Sequence, residues 1–367
     1  MRSVRMRLQG TAILVMLAAG AHGVCAQAPG DGQPASQPAK PSSGLAAAIE
    51  RWLDVQAATV QARYRRVESS ANVVIANHMQ DSLLLRTRIK FDAKGRYGLN
   101  STLQTGPTFT GSWNNVGWGT GGPRQTGVFL KHLFLLATPV RGVDLMYGSF
   151  GFVRGESSEI TTFDNDGYML GGRATLHRPD KLYLDEVSGA FGYFGSPAEP
   201  GFSDRYTRFD TVNYYDAVGT KKVGHGLALS ASYTYQASAT TLRAAFNLRT
   251  PWAHLVDGFR YEHYCRVDRL PACGFAGTLE KTITAHVNVS GGYADIDPDF
   301  GGVNGDRYTR GRRMFGQASV LVLRDLTVSA FGTQAFDNPF PVASAHRFDL
   351  IVSYNALGPL QRAGLFR

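Results

Sequence analysis

Residues 83–105 alternate between two kinds of side chain, and this alternation limits the possible folds more than any other feature of the chain. Successive side chains of a β-strand point to opposite faces, so the alternation predicts a strand with two different faces. Glycine and aspartate at 92–95 provide turn chemistry, and a second alternating run returns from Tyr97 to Thr105. The apolar parity holds Leu83, Leu85, Thr87, Ile89 and Phe91, and the cationic parity holds Arg86, Arg88 and Lys90.

A hairpin of this kind fits a soluble β-sandwich as well as a membrane barrel, and the connections along the chain favour the barrel. We predict tight connections near 92–95, 138–142, 178–181, 250–253 and 323–325, and long polar ones near 106–124, 154–165, 195–206 and 294–307. Short turns at one end and long loops at the other are typical of outer-membrane barrels. The fold class we expect is all-β: a closed antiparallel transmembrane β-barrel of about 16 strands, with 14–18 allowed. A secreted sandwich or multidomain β protein is the alternative.

The first residues indicate export. Arg2, Arg5 and Arg7 precede a short apolar stretch, and Val24-Cys25-Ala26 offers small residues for cleavage. We therefore expect a signal peptide at 1–26, although a membrane anchor is an alternative reading of the same residues. Residues 27–54 are predicted to form a disordered or short helical periplasmic leader, and residues 55–367 the barrel.

No later hydrophobic stretch reaches the roughly 20 residues that a membrane helix needs. A strand in lipid must pair every backbone N–H and C=O group, so a membrane sheet has to close on itself. A water-filled interior then allows the inward parity to be polar, which explains an unremarkable mean hydropathy of −0.17. Tyr and Phe near predicted strand ends suit the aromatic girdles of such barrels.

The export signal, the paired amphipathic strands and the alternating loops over roughly 55–356 resemble those of Gram-negative outer-membrane porins. The arginine-bearing strands resemble anion-conducting and alginate-export barrels. The resemblance is architectural; it implies an outer-membrane channel surrounded by lipid and lipopolysaccharide, and transfers no site residue. Porin chains usually end on an aromatic residue, whereas Phe366 is followed here by Arg367. Either the last strand ends near Asn355 with a tail, or the assembly signal is atypical.

Arginine outnumbers lysine, with 30 against 8 residues. Guanidinium groups hold carboxylate, phosphate or sulfate in a bidentate manner, and a row of them in a narrow tube concentrates anions. We expect a lumen that guides anionic small solutes or saccharides; alternatively, the same side chains form a solvated face paired with lumenal acids such as Asp144, Asp185, Glu186 or Asp349. The predicted lumenal residues are Arg63, Arg65, Arg86, Arg88, Lys90, Arg96, Arg173, Arg243 and Arg249.

Two acidic segments fall in predicted outer loops. Glu156, Glu159, Asp164 and Asp166 are candidates for a loop that folds inward and constricts the pore. The other segment holds Asp295, Asp297, Asp299 and Asp306, whose spacing suits Ca²⁺, although the glycine falls one place late for an EF-hand. A plain polar turn is the alternative, and no other cofactor is expected.

Cys265 and Cys273 flank a turn-like stretch, so an exported chain is expected to join them in a disulfide; two free thiols are the alternative. No second Cys or His pair stands at zinc-ligand spacing. The segment 106–122 carries Trp113, Asn114, Asn115 and Trp118, which suit either sugar recognition or a structural loop.

Enzyme signatures are weak, because neither Gly-x-Ser-x-Gly nor His-Glu-x-x-His occurs. We therefore expect a channel and not an enzyme. The alternatives are a barrel enzyme that acts on lipid or polysaccharide, and a structural or adhesive barrel. Nucleic acid is not an expected partner of an exported chain whose arginines alternate along strands. The pattern leaves the oligomeric state open.

Overall fold

The computed structural model describes residues 44–108, 111–152, 155–156, 169–177, 183–195, 206–236, 239–249, 255–268, 272–300, 310–336 and 344–363. Two short helices, α1 (Gly44–Trp52) and α2 (Leu357–Arg362), lie at the two ends of this part of the chain. The strands between them are β1 Leu53–Ser69, β2 Val74–Lys90, β3 Tyr97–Thr105, β4 Asn114–Gly119, β5 Val128–Ala137, β6 Val143–Phe150, β7 Met169–His177, β8 Glu186–Phe194, β9 Tyr214–Gly224, β10 Leu227–Gln236, β11 Ala239–Leu248, β12 Gly258–Arg266, β13 Ala272–Thr284, β14 Val287–Ile296, β15 Gly311–Leu323, β16 Leu326–Ala335 and β17 Ser344–Asn355.

These strands form one closed antiparallel barrel. Each of β1–β3 and β5–β17 pairs with the strands before and after it around the wall, and β1 closes the sheet by pairing with both β2 and β17. The remaining strand, β4, lies in the connection from β3 to β5 and pairs with the first part of β2. The wall therefore has 16 strands, which confirms the predicted fold class and strand number.

The register explains the alternation seen in the sequence. On β17 the side chains of one parity are exposed on the outside of the barrel: Phe348, Leu350, Val352 and Tyr354 are 44%, 41%, 38% and 41% exposed. The other parity carries Arg347 and the buried Asp349, which point inward and lie opposite Val67 and Arg65 of β1. Within the described residues, no helix is long and apolar enough to cross a membrane.

Both ends of the described chain lie at one rim, which we call the short-turn rim because it carries the turns at 91–96, 138–142, 225–226, 285–286 and 324–325. The opposite rim, the long-loop rim, carries the connections 106–127, 151–168, 195–213 and 297–310. The alternation of short and long connections is less regular than predicted, since residues 70–73 form a tight connection from β1 to β2 at the long-loop rim.

The last strand ends at Asn355 and is followed by α2, as one of the two sequence alternatives predicted. The Ala356 N–H still donates to Ala58 O of β1, at 2.9 Å. Arg362 of α2 then pairs with Asp325 in the β15–β16 turn. The tail is therefore held against the short-turn rim by one backbone bond and one ion pair.

Three aspartates bind backbone N–H groups at the short-turn rim. Asp92 accepts from Tyr97 N–H at 2.9 Å, Asp185 from Lys222 N–H at 2.6 Å, and Asp257 from Thr282 N–H at 2.6 Å. Hydrogen bonding to the charged carboxylate lowers the pKa of Asp92 and Asp185 below its ordinary value; at Asp257 the ammonium of Lys281 contributes most to the same lowering.

The inner face of the barrel carries apolar patches as well as polar side chains. Two apolar clusters lie on the inward parity. The first covers the β12–β14 wall, where Phe300 from a short 3₁₀ turn (Pro298–Phe300) packs edge-on against Tyr264, with ring centres 4.3 Å apart. The second is built on β6–β9 from Phe150, Met169, Ala190 and Tyr214. Apolar residues are tolerated there because a connection from the long-loop rim covers each patch.

Candidate functional site: the inner wall of the barrel

Arginines converge on one carboxylate where the barrel closes. Arg65 of β1 donates to Asp349 of β17 through two parallel bonds, Nε–Oδ1 at 2.9 Å and Nη2–Oδ2 at 3.0 Å. Arg347 donates to the same carboxylate, with Nε 3.0 Å from Oδ2. Arg63 adds a third guanidinium, with Nη1 3.8 Å from Asp349 Oδ2. Bidentate pairs of this kind fix the planes of the guanidinium groups.

A fourth arginine extends this group across the wall. Arg313 of β15 is 2% exposed, and its Nη1 donates to Thr333 Oγ1 of β16 at 3.0 Å. Thr333 is paired in register with Arg347 of β17, so Arg313 lies one strand further along the same level. We call Arg63, Arg65, Arg313 and Arg347, together with Asp349, the basic cluster.

The connection from β3 to β5 folds into the barrel and contacts the basic cluster. The guanidinium carbon of Arg63 lies 4.0 Å from the centre of the Trp113 ring, a cation–π contact. The same guanidinium donates to Gln80 Oε1 of β2 through Nε at 2.9 Å and Nη2 at 2.6 Å. Because Arg63 points inward, Trp113 lies inside the barrel.

This connection is held by its own polar groups. A β-bulge between β3 and β5 sets Lys131 out of register, and its ammonium donates to Ser112 Oγ at 3.1 Å. Asn114 Nδ2 donates to Gly127 O at 3.0 Å, and Asn115 Nδ2 donates to Gly122 O at 2.8 Å. Both asparagines are 2% exposed, so their amides serve the loop itself. This geometry favours the structural-loop alternative over sugar recognition by these amides.

Residues 155–156, in the connection from β6 to β7, also lie against the inner wall of the barrel. Glu156 N–H donates to Ser230 Oγ of β10 at 2.9 Å, and Ser230 belongs to the inward parity of that strand. The contact requires Gly155, which has a φ of +57° and whose added Cβ would lie 2.9 Å from Ser230 Oγ. Glu156 was a predicted constriction residue. Its companions Glu159, Asp164 and Asp166 lie outside the described residues.

Two further predicted arginines lie on the far wall, where hydroxyls hold them. Arg173 Nε donates to Ser188 Oγ at 2.8 Å and to Thr175 Oγ1 at 3.1 Å. Arg243 is 5% exposed; its Nε donates to Ser232 Oγ at 2.8 Å, and its Nη1 lies 3.4 Å from Glu262 Oε1. The alternative in which arginines pair with lumenal acids therefore describes Arg243, which pairs with Glu262, and the basic cluster, which pairs with Asp349. Asp349 was among the acids named from the sequence, and Glu262 was not.

The row from which the sequence argument began lies lower on β2, toward the short-turn rim. Arg86, Arg88 and Lys90 point inward, on the parity opposite Leu83 and Ile89. Arg88 donates to the carbonyl of Gly95, and Lys90 Nζ donates to Glu50 O of α1 at 3.1 Å. This lower row is separated along β2 from Gln80, the residue that contacts the basic cluster.

Two predicted lumenal positions need correction. Arg96 lies in the turn between β2 and β3, is 49% exposed and has its Nε 3.9 Å from Asp92 Oδ2. Arg249 follows the last residue of β11 and is exposed at the short-turn rim, where its N–H donates to Gly226 O. Neither is a wall residue, because the strands end before the alternating pattern of the sequence does.

The outer loop after β14 gives no assembled cation site within the described residues. Asp295 lies on the outward parity of β14, whereas Asp297 follows the strand and accepts the Asp299 N–H at 2.8 Å. Asp306 lies outside the described residues, so the predicted Ca²⁺ site stays a prediction.

Cys265 and Cys273 form a disulfide between β12 and β13, where they are directly paired in register. His263 Nε2 lies 3.6 Å from Cys265 Sγ. In the described part of the chain, His263, Cys265 and Cys273 are the only group of three His, Cys or acidic side chains whose possible metal-binding atoms lie within 4.8 Å of one another. The disulfide occupies both sulfurs, so the group is not available as a thiolate site.

Sequence reasoning missed Arg313 in the lumen and did not connect Asp349 with particular arginines. Arg313 stands in the run Arg310-Gly311-Arg312-Arg313, which has no alternation that could separate inward from outward positions. Only the register of β15 with β14 and β16, which sets Arg313 opposite Ala294 and Ala335, assigns it to the inner wall.

The fold is similar to that of solved porins. A Salmonella typhi OmpF structure in complex with daunomycin superimposes with a TM-score of 0.54 at 9% identity, over 83% of this chain and 98% of that chain. Pseudomonas aeruginosa OccK2 gives 0.51 at 12% identity, over 82% and 97%. A Rhodopseudomonas blastica porin triple mutant gives 0.50 at 10% identity, over 83% and 99%. No protein-family profile and no curated protein sequence matches the chain. The comparisons therefore establish a porin-type barrel fold.

Proposed function

We propose that this chain is an outer-membrane channel through which small anionic solutes, or saccharides bearing such groups, diffuse. The closed sheet leaves no unpaired edge, and its exposed apolar parity suits the lipid of a bilayer. Connections of the long-loop rim fold inward and narrow the lumen, as the contacts of Trp113 and Glu156 indicate.

The observation that carries the anionic preference is the basic cluster beside the inward-folded Trp113. Among the described residues, three guanidinium groups contact the carboxylate of Asp349, and a fourth, that of Arg313, is held nearby on Thr333. Fixed cations on a water-filled wall raise the local concentration of anions and lower the barrier to their passage. The net positive charge of the cluster would attract a solute carboxylate or phosphate at the narrowed level of the lumen.

Planar-bilayer recording of the purified protein tests the proposal. Under a KCl gradient we expect a steady conductance whose reversal potential is shifted toward the equilibrium potential of chloride. In Arg347→Gln we expect the reversal potential to move toward the equilibrium potential of potassium. The matched control is Arg324→Gln, which removes an exposed arginine from the β15–β16 turn. An absence of current would refute the channel, and potassium preference in the unaltered protein would refute the anionic assignment.

A further inference from the structure

The outside of the barrel carries a depression where small residues replace bulky ones on three adjacent strands. Gly219 of β9, Ala231 of β10 and Ala244 of β11 are paired in register and share the outward parity, and His263 of β12 ends the row. Lipid-facing positions of barrel strands ordinarily carry bulky apolar side chains. At an inter-strand spacing of about 4.8 Å, the row spans roughly 14 Å.

Bulky residues border this row on both sides and turn it into a trough. The row toward the short-turn rim consists of Lys221, Leu229, Phe246 and Tyr261, again in register across β9–β12. On the other side stand Tyr233 and Leu242, which are 42% and 48% exposed. The trough encloses a volume of about 570 Å³.

The end of the trough nearest the short-turn rim combines an apolar side chain with a cation. Leu184 lies beside Gly219 on the outer face, where an added Cβ would approach Leu184 Cδ1 to 3.3 Å. The Lys221 ammonium stands beside it, with Asp185 Oδ2 at 3.7 Å. Outer-membrane barrels carry their short turns on the periplasmic side, and in that orientation this ammonium lies at the level of the phosphates of the periplasmic leaflet.

We propose that the trough binds one acyl chain of a phospholipid of the periplasmic leaflet, with the lipid phosphate at Lys221. The inference rests on the proposed membrane location of the barrel. A flexible chain fits between the two bulky rows, whereas the protruding Tyr233 and Leu242 would hold the wall of a second barrel away.

Photo-crosslinking in vesicles tests this site. The barrel is reconstituted with phosphatidylglycerol that carries a diazirine on one acyl chain, and labelled peptides are identified by mass spectrometry. We expect labelling concentrated on β10 and β11, and several-fold weaker labelling there in the Ala231→Leu/Ala244→Leu variant, which fills the trough. Ala330→Leu on the outward face of β16 is the matched control and leaves the β10–β11 labelling unchanged.

Lys221→Gln tests the headgroup contact separately. One lysine near an anionic lipid surface contributes about a five-fold preference, so labelling by phosphatidylglycerol falls by about that factor, and labelling by a zwitterionic lipid falls less. Equal labelling around the whole wall of the unaltered protein overturns the proposal, as does an absence of labelling on β10 and β11. Conductance recorded on the same vesicles separates the outcomes, because a labelled but non-conducting barrel refutes the channel and leaves the lipid site standing.

Discussion

Trp113 and Arg63 form a cation–π contact inside the barrel, with the guanidinium carbon 4.0 Å from the centre of the indole ring. The two residues come from different parts of the architecture. Arg63 belongs to the wall strand β1, and Trp113 to the connection between β3 and β5. This contact joins the basic cluster to an inward-folded loop, so in the proposed channel both the charge and the width of the pore would depend on the same place.

Replacing Trp113 by alanine is expected to loosen this loop and widen the lumen. The lost cation–π contact is worth about 0.5–2 kcal/mol, and removal of the ring opens space beside Arg63. Single-channel recording should show a larger and noisier conductance. Trp118→Ala is the control, because Trp118 is 55% exposed and its ring lies tilted beside that of Tyr64, with ring centres 6.3 Å apart, on the outward parity of β1. Equal effects of both substitutions would contradict a specific role for Trp113.

The docking of the β6–β7 connection can be tested at Gly155. Valine there would need the left-handed φ of +57° and would bring a Cβ to 2.9 Å from Ser230 Oγ, so Gly155→Val should displace the loop. Ser230→Ala removes only the bond from Glu156 N–H, worth about 1 kcal/mol, and should have a smaller effect in the same direction.

Single-channel conductance is the measurement for this series. We expect the largest conductance in Gly155→Val, a smaller one in Ser230→Ala, and the smallest in the unaltered protein. Ser329→Ala is the matched control, since Ser329 lies on the inward parity of β16 and so tests the loss of an inner-wall hydroxyl elsewhere. A conductance in Gly155→Val equal to that of the unaltered protein would show that the loop does not narrow the lumen.

Asp349→Asn should destabilise the barrel strongly. Asp349 is 1% exposed and is contacted by three guanidinium groups, so the neutral amide leaves buried charges without their carboxylate. Removal of one partner from a buried ion pair costs about 3–5 kcal/mol. The temperature at which the folded form disappears on SDS electrophoresis should fall clearly. Asp299→Asn, at an exposed loop position, should leave it unchanged. An unchanged temperature for Asp349→Asn would mean that the basic cluster does not stabilise the barrel where β1 and β17 meet.

The ion pair between Asp325 and Arg362 predicts an acid-sensitive tail. The hydrogen bond from Arg362 lowers the pKa of Asp325, and the pKa of Arg362 is raised by the same partner. A carboxyl group with a lowered pKa stabilises the fold at and above the unfolded pKa of about 4, and this contribution is lost as the pH falls through the folded pKa.

Denaturant unfolding of the unaltered protein and Asp325→Asn between pH 7 and pH 3 is the corresponding measurement. The unaltered protein should be the more stable of the two at pH 7, and the difference should shrink on acidification. Arg362→Gln should reproduce the Asp325→Asn profile. A difference that persists undiminished at pH 3 would exclude titration of Asp325 as its source.

The sequence by itself determined the class of fold. Two-residue periodicity depends only on the local geometry of an extended chain, so the two faces of β2 and β17 could be predicted from runs such as 83–91 and 347–355. The strand number followed from counting such runs between turn residues. The positions of Arg86, Arg88 and Lys90 on one face follow from the same local rule, whereas Arg96 and Arg249 were misplaced because strand ends depend on pairing with neighbours.

Only the tertiary structure decided which charges meet. Arg65 and Asp349 are separated by 284 positions in the chain, and they become partners because closure of the barrel sets β1 beside β17. The loop contacts of Trp113 and Glu156 likewise depend on which part of the wall lies across the lumen. Local periodicity assigns a side chain to a face, but the register between distant strands decides its neighbours, and a charged site is defined by those neighbours.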